Sequence, residues 1–271
     1  MKDVIERLLA IAADAAVVID EVYQEPFDVE YKGPKDPVTA ADRRANELIV
    51  ARLEAEFPGV PVVAEESAAE RYESFRASDR IFFVDPLDGT REFVKKNGEF
   101  VVMIGLVEGD APTVGVLYSP VSREAWAGRV GEGAVHVTAE GERTPISVSD
   151  VRDLSGARIV STRSHRSAAL EAALDALGAE SLAALGSAGL KCAEVATGKA
   201  EAYVAPSLAG ARWDLCAGQA IITAAGGRVT DARGKAIDYR SASLANATGI
   251  VASNAGVHDE ILARLAAHRA R

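Results

Sequence analysis

The chain has 271 residues, with 30 Lys plus Arg against 40 Asp plus Glu, for a formal charge of −10. No Lys/Arg cluster offers the basic face that a nucleic-acid polymer would require, so an anionic ligand here needs its countercharge from metal ions. Two cysteines, Cys192 and Cys216, make no disulfide framework and read as buried free thiols of a reducing cytoplasm. The N-terminus opens an amphipathic helix and shows no signal-peptide core. No apolar run approaches the roughly 18 residues needed to span a bilayer, so a soluble, cytoplasmic protein is expected.

Residues 3–23 place Val4, Leu8, Ile11, Ala15, Ile19 and Tyr23 three or four apart, which predicts a helix with one apolar face. A polar segment with two prolines, residues 31–39, shows little periodicity. Thr39-Ala40-Ala41-Asp42 then resembles a capping box, opening a second helix that ends at Pro58-Gly59. Asp36, Thr39 and Asp42 serve equally well as turn and cap residues. Residues 60–64 form a short apolar strand that runs into Glu65-Glu66-Ser67.

The next strand is the centre of the sequence. Ile81 to Val84 is continuously apolar and leads into Asp85-Pro86-Leu87-Asp88-Gly89-Thr90. Pro86 has no N–H for a ladder, so the strand is expected to stop there and turn. Asp85 and Asp88 can converge on one point, where two carboxylates repel unless they share a proton or a cation. Oxygen donors without Cys or His suit magnesium, manganese or calcium better than zinc. Backbone N–H groups around Gly89 and Thr90 can hold an anion. The same string is also a common turn. Its spacing excludes an EF-hand loop, which would need a Glu at Lys96, and an Asp-x-Asp-Gly-Thr phosphatase, which would need an acid at Pro86.

Residues 100–107 and 113–118 read as a hairpin turning at Gly109-Asp110, with further strands at 124–128 and 134–137. An antiparallel sheet backed by helices, an α+β lobe, is expected for residues 1–150. From about residue 151 to 271 strands and helices alternate, predicting a C-terminal α/β lobe. Its strands lie at 157–161, 200–205, Val229 and 250–252. Its helices lie at 167–177, after Gly186-Ser187-Ala188-Gly189, from Arg212-Trp213-Asp214 to Gly226-Gly227, and from His258. Asp214 falls in a first helical turn, where the dipole favours an acid regardless of function. Thr162 to His165 lies at a strand's C-terminal end, where open α/β sheets place ligands. No repeat or low-complexity linker separates the lobes.

Four segments in order, Asp36-x-x-Thr39-x-x-Asp42, Glu65-Glu66, Asp85-Pro86-Leu87-Asp88-Gly89-Thr90 and Trp213-Asp214-x-x-x-Gly218, resemble the magnesium-dependent, lithium-sensitive phosphomonoesterases of the inositol monophosphatase superfamily. Arg91-Glu92-Phe93, Arg163-Ser164-His165 and Gly189-Leu190-Lys191 are most similar to its 3′(2′),5′-bisphosphate nucleotidases. The resemblance implies a layered α-β-α-β-α fold and a homodimer. It implies two or three Mg²⁺ ions, with Mn²⁺ as a substitute, held by Glu65, Asp85, the Leu87 carbonyl, Asp88 and Asp214. Thr90, with Asp42 and Glu65, would orient or deprotonate the attacking water, with no covalent intermediate. Glu65, Leu87, Asp88, Gly89, Thr90, Arg163, Ser164, His165, Lys191 and Asp214 would contact the phosphorylated small-molecule substrate.

The chain departs from the nucleotidases at Thr162, where they usually carry Ser, and in the loop at 206–212, which lacks their Gly-Pro-Thr pattern. Gly186-Ser187-Ala188 and Asp214-Leu215-x-Ala217-Gly218 would suit an inositol monophosphatase equally. Three functions are therefore carried forward: a phosphatase acting on the 3′-phosphate of adenosine 3′,5′-bisphosphate and its sulfated form, an inositol or sugar monophosphatase, and a non-catalytic phosphate-metabolite sensor. A purine stacked near His165 or Tyr239 would favour the first, and a small polar pocket the second.

Overall fold

A computed structural model describes residues 2–33, 36–68 and 74–270. Helices α1 (Lys2–Gln24) and α2 (Ala40–Glu56) follow the predicted periodicity, separated by a small antiparallel hairpin, β1 (Glu30–Gly33) and β2 (Asp36–Val38). The expected capping box is present at α2, with the Thr39 hydroxyl accepting from the Ala41 N–H and the Asp42 carboxylate accepting from the Thr39 N–H. Residues 34 and 35 and the Asp36 side chain lie outside the described part.

A seven-stranded sheet follows: β3 (Val62–Ala64), β4 (Arg80–Asp88), β5 (Val101–Glu108), β6 (Ala111–Tyr118), β7 (Ala125–Arg129), β8 (Gly133–Val137) and β9 (Arg143–Ile146), in that spatial order. It is antiparallel except that β3 and β4 run parallel, a departure from the expected meander. Strand β4 also continues through Pro86 rather than ending there. Its pairing with β3 ends at Val84, and its register with β5 shifts between Asp85 and Asp88. Pro86 thus sits in an irregular stretch beyond the reach of β3, where a missing N–H breaks no regular ladder.

The second, five-stranded sheet holds β10 (Arg158–Thr162), β11 (Ser181–Leu185), β12 (Ala202–Ala205), β13 (Arg228–Thr230) and β14 (Ile250–Ser253), ordered β11-β10-β12-β14-β13. Strands β10, β11 and β12 are parallel, whereas β14 is antiparallel to both β12 and β13, so this sheet is mixed. The helices of this half are α4 (Ala168–Asp175), α5 (Ala188–Ala196), α6 (Trp213–Ala224) and α7 (His258–Arg269), while the short α3 (Thr90–Val94) follows β4.

Burial explains the layering. Along β4, Phe82 and Val84 pack with α1 and α2, while Ile81 and Phe83 face α5 and α6 on the other side. Both sheet faces are covered, which is why the run is continuously apolar instead of alternating. The same α5–α6 layer packs against Tyr203, Ile250 and Ala252 of the second sheet, whose outer face is covered by α4 and α7. The result is five layers, α-β-α-β-α, with one core drawing on residues from both halves of the chain. Cys192 and Cys216 are free thiols buried within it.

Three paired glycines, Gly105, Gly115 and Gly128, form a row across β5, β6 and β7 under α6. A Cβ on Gly115 would lie 2.1 Å from the Ala217 carbonyl oxygen, and one on Gly105 would lie 2.6 Å from the Ala217 nitrogen. Helix α6 therefore rests backbone to backbone on the sheet, carrying Asp214 in its first turn toward β4. Overpacking of a close contact typically costs about 1–3 kcal/mol. Gly115→Ala is accordingly expected to lower the urea midpoint by the equivalent of about 1–3 kcal/mol with an unchanged slope.

Candidate active site

The carboxylates gather where β4, the residue after β3, and the first turn of α6 meet. One carboxylate oxygen each from Asp85, Asp88 and Asp214 lies within 4.8 Å of the others. They line a cavity of about 270 Å³ together with Pro37, Glu65, Leu87, Gly89, Thr90, Arg91, Glu92, Ser164, His165 and Gly186. The Leu87 N–H donates to Asp85 Oδ1 at 2.9 Å, closing the irregular turn after Pro86. Asp88 Oδ2 accepts from the Ser187 hydroxyl and, at 2.6 Å, from the Gly189 N–H. Asp88 is thereby fastened to the N-terminal turn of α5, which Ser187 itself caps.

Electrostatics make this cluster an uneasy one. Burial, together with the charges of Glu65, Asp214 and Asp88, holds the Asp85 pKa well above the usual aspartate value. Burial and the charges of Glu65 and Asp88 push Asp214 up from 3.8 to about 8, opposed by hydrogen bonds from the Ala211 N–H and with Asp85. Burial likewise raises Glu65, although Lys32 opposes it. Lys32 on β1 donates to Glu65 at 2.9 Å and Glu66 at 2.6 Å, placing an ammonium beside the cluster. Three oxygen donors crowded together at this cost match a hard divalent cation, so the residues fit a metal such as the one their pattern implies.

Beside the cluster stands a hydroxyl–carboxylate pair. Thr90 Oγ1 donates to Asp42 Oδ1 at 2.8 Å and lies 3.3 Å from the Leu87 carbonyl oxygen. Asp42 Oδ2 accepts from both the N–H and the hydroxyl of Thr39 at 2.7 Å. Burial raises the Asp42 pKa despite the hydrogen bonds from Thr39 and Thr90, leaving a carboxylate readier than usual to take a proton. Gly89 supplies the left-handed turn, φ 107°, from which α3 begins under the cavity.

The sequence-predicted substrate residues divide. Ser164 and His165 line the cavity. Ser164 is tied to Glu92 through its hydroxyl and to Arg91 Nη1, at 2.9 Å, through its carbonyl. Arg163, by contrast, extends to Glu99 at 2.7 Å and the Ala184 carbonyl, so it braces the wall from outside. Lys191 is not at the cavity. It is 1% exposed, and its ammonium donates to the carbonyls of Leu185, Gly186 and Ser187, with Ser187 at 2.7 Å. Tyr239 is fully buried, donates to Gln219 at 2.9 Å and offers no stacking face. Sequence reasoning did not name Ser187 as the anchor of Asp88 or Lys32 as the partner of Glu65. The first had a signal in the helix-capping Ser beside Gly186, whereas an isolated lysine in a polar arm carries none.

The raised acids fix the sign of the pH dependence. Between the ordinary aspartate pKa and that of Asp214, from about 4 to about 8, the folded metal-free protein holds more protons than the unfolded chain. Its stability from this source is therefore present at low pH and is lost as pH rises across that window. Thermal melts of metal-free protein should show this decline, and added Mg²⁺ should reverse it at pH 8. Asp85→Asn should stabilise the metal-free protein at pH 8 by ~1 kcal/mol or more, the worth of one pKa unit.

Known proteins resemble the chain over nearly its whole length. A sequence profile described as the inositol monophosphatase family matches residues 1–270. The chain is 38% identical over 238 residues to the 3′(2′),5′-bisphosphate nucleotidase CysQ of Escherichia coli strain K12, covering 87% of this chain and 93% of the relative. It is 31% identical over 265 residues to an inositol monophosphatase of Mesembryanthemum crystallinum, covering 94% of each. Among solved structures, the extragenic suppressor protein suhB of Bartonella henselae superposes with a TM-score of 0.84 at 27% identity, over 97% of this chain and 98% of that one. An IMPase of Thermotoga maritima gives 0.83 at 27% identity, over 99% and 98%. The chain belongs to the inositol monophosphatase family.

Proposed function

We propose that the protein is a Mg²⁺-dependent phosphomonoesterase that removes the 3′-phosphate of adenosine 3′,5′-bisphosphate, and of its sulfated form, by attack of water. The observation that carries this reading is the convergence of Asp85, Asp88 and Asp214 beside the Thr90–Asp42 pair in one cavity. Glu65, Asp85, the Leu87 carbonyl, Asp88 and Asp214 would hold two or three ions, with Mn²⁺ as a substitute. When bound, the metal would offset the negative charge of Asp85, Asp88 and Asp214 and make water more acidic. Thr90 Oγ1 holds the attacking water and, donating to Asp42 Oδ1, offers a path for its proton to a carboxylate whose affinity for protons is raised. Glu65, which accepts from Lys32 in the metal-free protein, would help to orient the water. The P–O bond to the 3′-oxygen would break as the water oxygen bonds to phosphorus, and the leaving oxygen would take up a proton from solvent.

The nucleotide is favoured by the 38% identity to the Escherichia coli nucleotidase, and Ser164 and His165, which line the cavity, would contact the nucleoside. The enzyme would act in the cytoplasm as a homodimer, its two buried thiols reduced. A second reading, an inositol or sugar monophosphatase, draws support from the small volume and acid-rich lining of the cavity.

Phosphate release with Mg²⁺ from adenosine 3′,5′-bisphosphate and from myo-inositol 1-phosphate, at equal concentration, separates the two. A strong preference for the nucleotide is expected; a preference for the inositol phosphate would overturn the substrate and keep the site. Failure on both, with metal bound, would favour a sensor. Thr90→Val should lower kcat by about 10²–10⁴, the usual worth of a positioned proton-transfer group. Asp88→Asn should keep the fold and lose most metal-dependent turnover, and full activity in either variant would contradict the assignment.

A further inference from the structure

The loop that departs from the nucleotidase pattern, residues 206–212, wraps Asp214 closely. The Ala211 N–H donates to Asp214 Oδ2. Gly210 lies at φ 63°, and a Cβ there would stand 2.3 Å from the same oxygen. The loop is held in this shape by a residue more than thirty positions downstream. Asn246, 2% exposed, donates from Nδ2 to the Ala209 carbonyl at 3.1 Å and the Ala211 carbonyl at 2.6 Å. Its backbone completes the grip: Asn246 N–H donates to the Gly210 carbonyl at 2.8 Å, and the Ala209 N–H donates to the Asn246 carbonyl at 3.2 Å.

Asn246 is itself fixed from the other side. Its Oδ1 accepts from Arg212 Nη1. Arg212, 9% exposed, also donates to the carbonyls of Asp238 at 2.9 Å and Ala245 at 3.1 Å, and its N–H donates to the Leu244 carbonyl at 2.9 Å. Ala211 and Ala245 form an isolated bridge beside it. Every polar atom of the Asn246 side chain is thus committed, and the segment it holds is the one that hydrogen-bonds Asp214.

We propose that Asn246 is a positioning residue for the metal centre. By bracing residues 209–211 it sets the orientation in which Asp214 presents its carboxylate to Asp85 and Asp88, and so sets metal affinity. The inference rests on the reading of Asp214 as a metal ligand. Outer partners that orient a ligand are typically worth 10–100-fold in metal affinity.

The test is the dissociation constant of Mg²⁺, and of Mn²⁺ as a tighter-binding probe, measured by calorimetry on the full chain. Asn246→Asp keeps the size and the acceptor for Arg212 but removes both donors to the loop. Its added negative charge would by itself attract a cation, so weaker binding reads the lost grip and not the charge. Binding tenfold weaker or more is expected, with near-wild-type near-ultraviolet circular dichroism. Gly210→Ala, which crowds Asp214 directly, should weaken binding in the same direction and serves if Asn246→Asp does not fold. Val251→Ala, a buried change in β14, is the control for general destabilisation. A dissociation constant in Asn246→Asp shifted no more than in Val251→Ala would overturn the proposal. If Asp214→Asn also leaves binding unchanged, the ligand reading fails; if Asp214→Asn weakens binding and Asn246→Asp does not, the positioning role alone fails.

Discussion

Carboxylates crowded into one buried cluster are the constraint on which this protein is built. Asp85, Asp88 and Asp214 come from two distant stretches of chain and are brought within 4.8 Å of one another. Their closeness requires the glycine row under α6, without which the first turn of that helix could not reach β4. It requires the register shift in β4, which turns the chain between Asp85 and Asp88. It also requires Ser187 and the Gly189 N–H, which supply Asp88 with donors from α5. Apolar burial covers both faces of the seven-stranded sheet, and the cluster concentrates the polar exception at one edge.

The same constraint bears on what the cavity can admit. An acid-lined pocket repels a phosphorylated compound until cations are present, so on the proposed reading metal and substrate binding would be coupled by charge. Lys32, reaching Glu65 and Glu66 from β1, shows one way that the chain offsets its own acids. The Thr90–Asp42 pair stands slightly apart, and the Asp42 carboxylate is tied down by Thr39 at the start of α2. A single residue pair thus links the cap of a helix to the chemistry of the cavity, which is why the helix-cap and catalytic readings of Asp42 are compatible.

Much of this was legible in the sequence because the signals were local. The heptad-like spacing of α1, the capping box of α2 and the apolar run of β4 each report burial that is decided within a few residues. Strands β9 and β11 were not, because they are largely exposed edges of their sheets and their side chains carry no inside–outside contrast. The hairpin of β1 and β2 was hidden in a polar, proline-containing arm for the same reason. Lys191 misled because charge suggests exposure, whereas three backbone carbonyls satisfy its ammonium in the interior. Arg163 reaches Glu99 and the Ala184 carbonyl, and Tyr239 donates to Gln219 from within the core. The link between Asn246 and Asp214 spans 32 positions and has no motif to announce it.

If these acids are metal ligands, protons occupy their place until a cation binds. The direct measurement is proton release on Mg²⁺ binding in a weakly buffered solution at pH 7. With Asp214 titrating at about 8 and Asp85 held well above its usual value, the account predicts that about one proton or more leaves each chain as the metal binds. Binding that released no protons, with an enthalpy independent of the buffer, would contradict it.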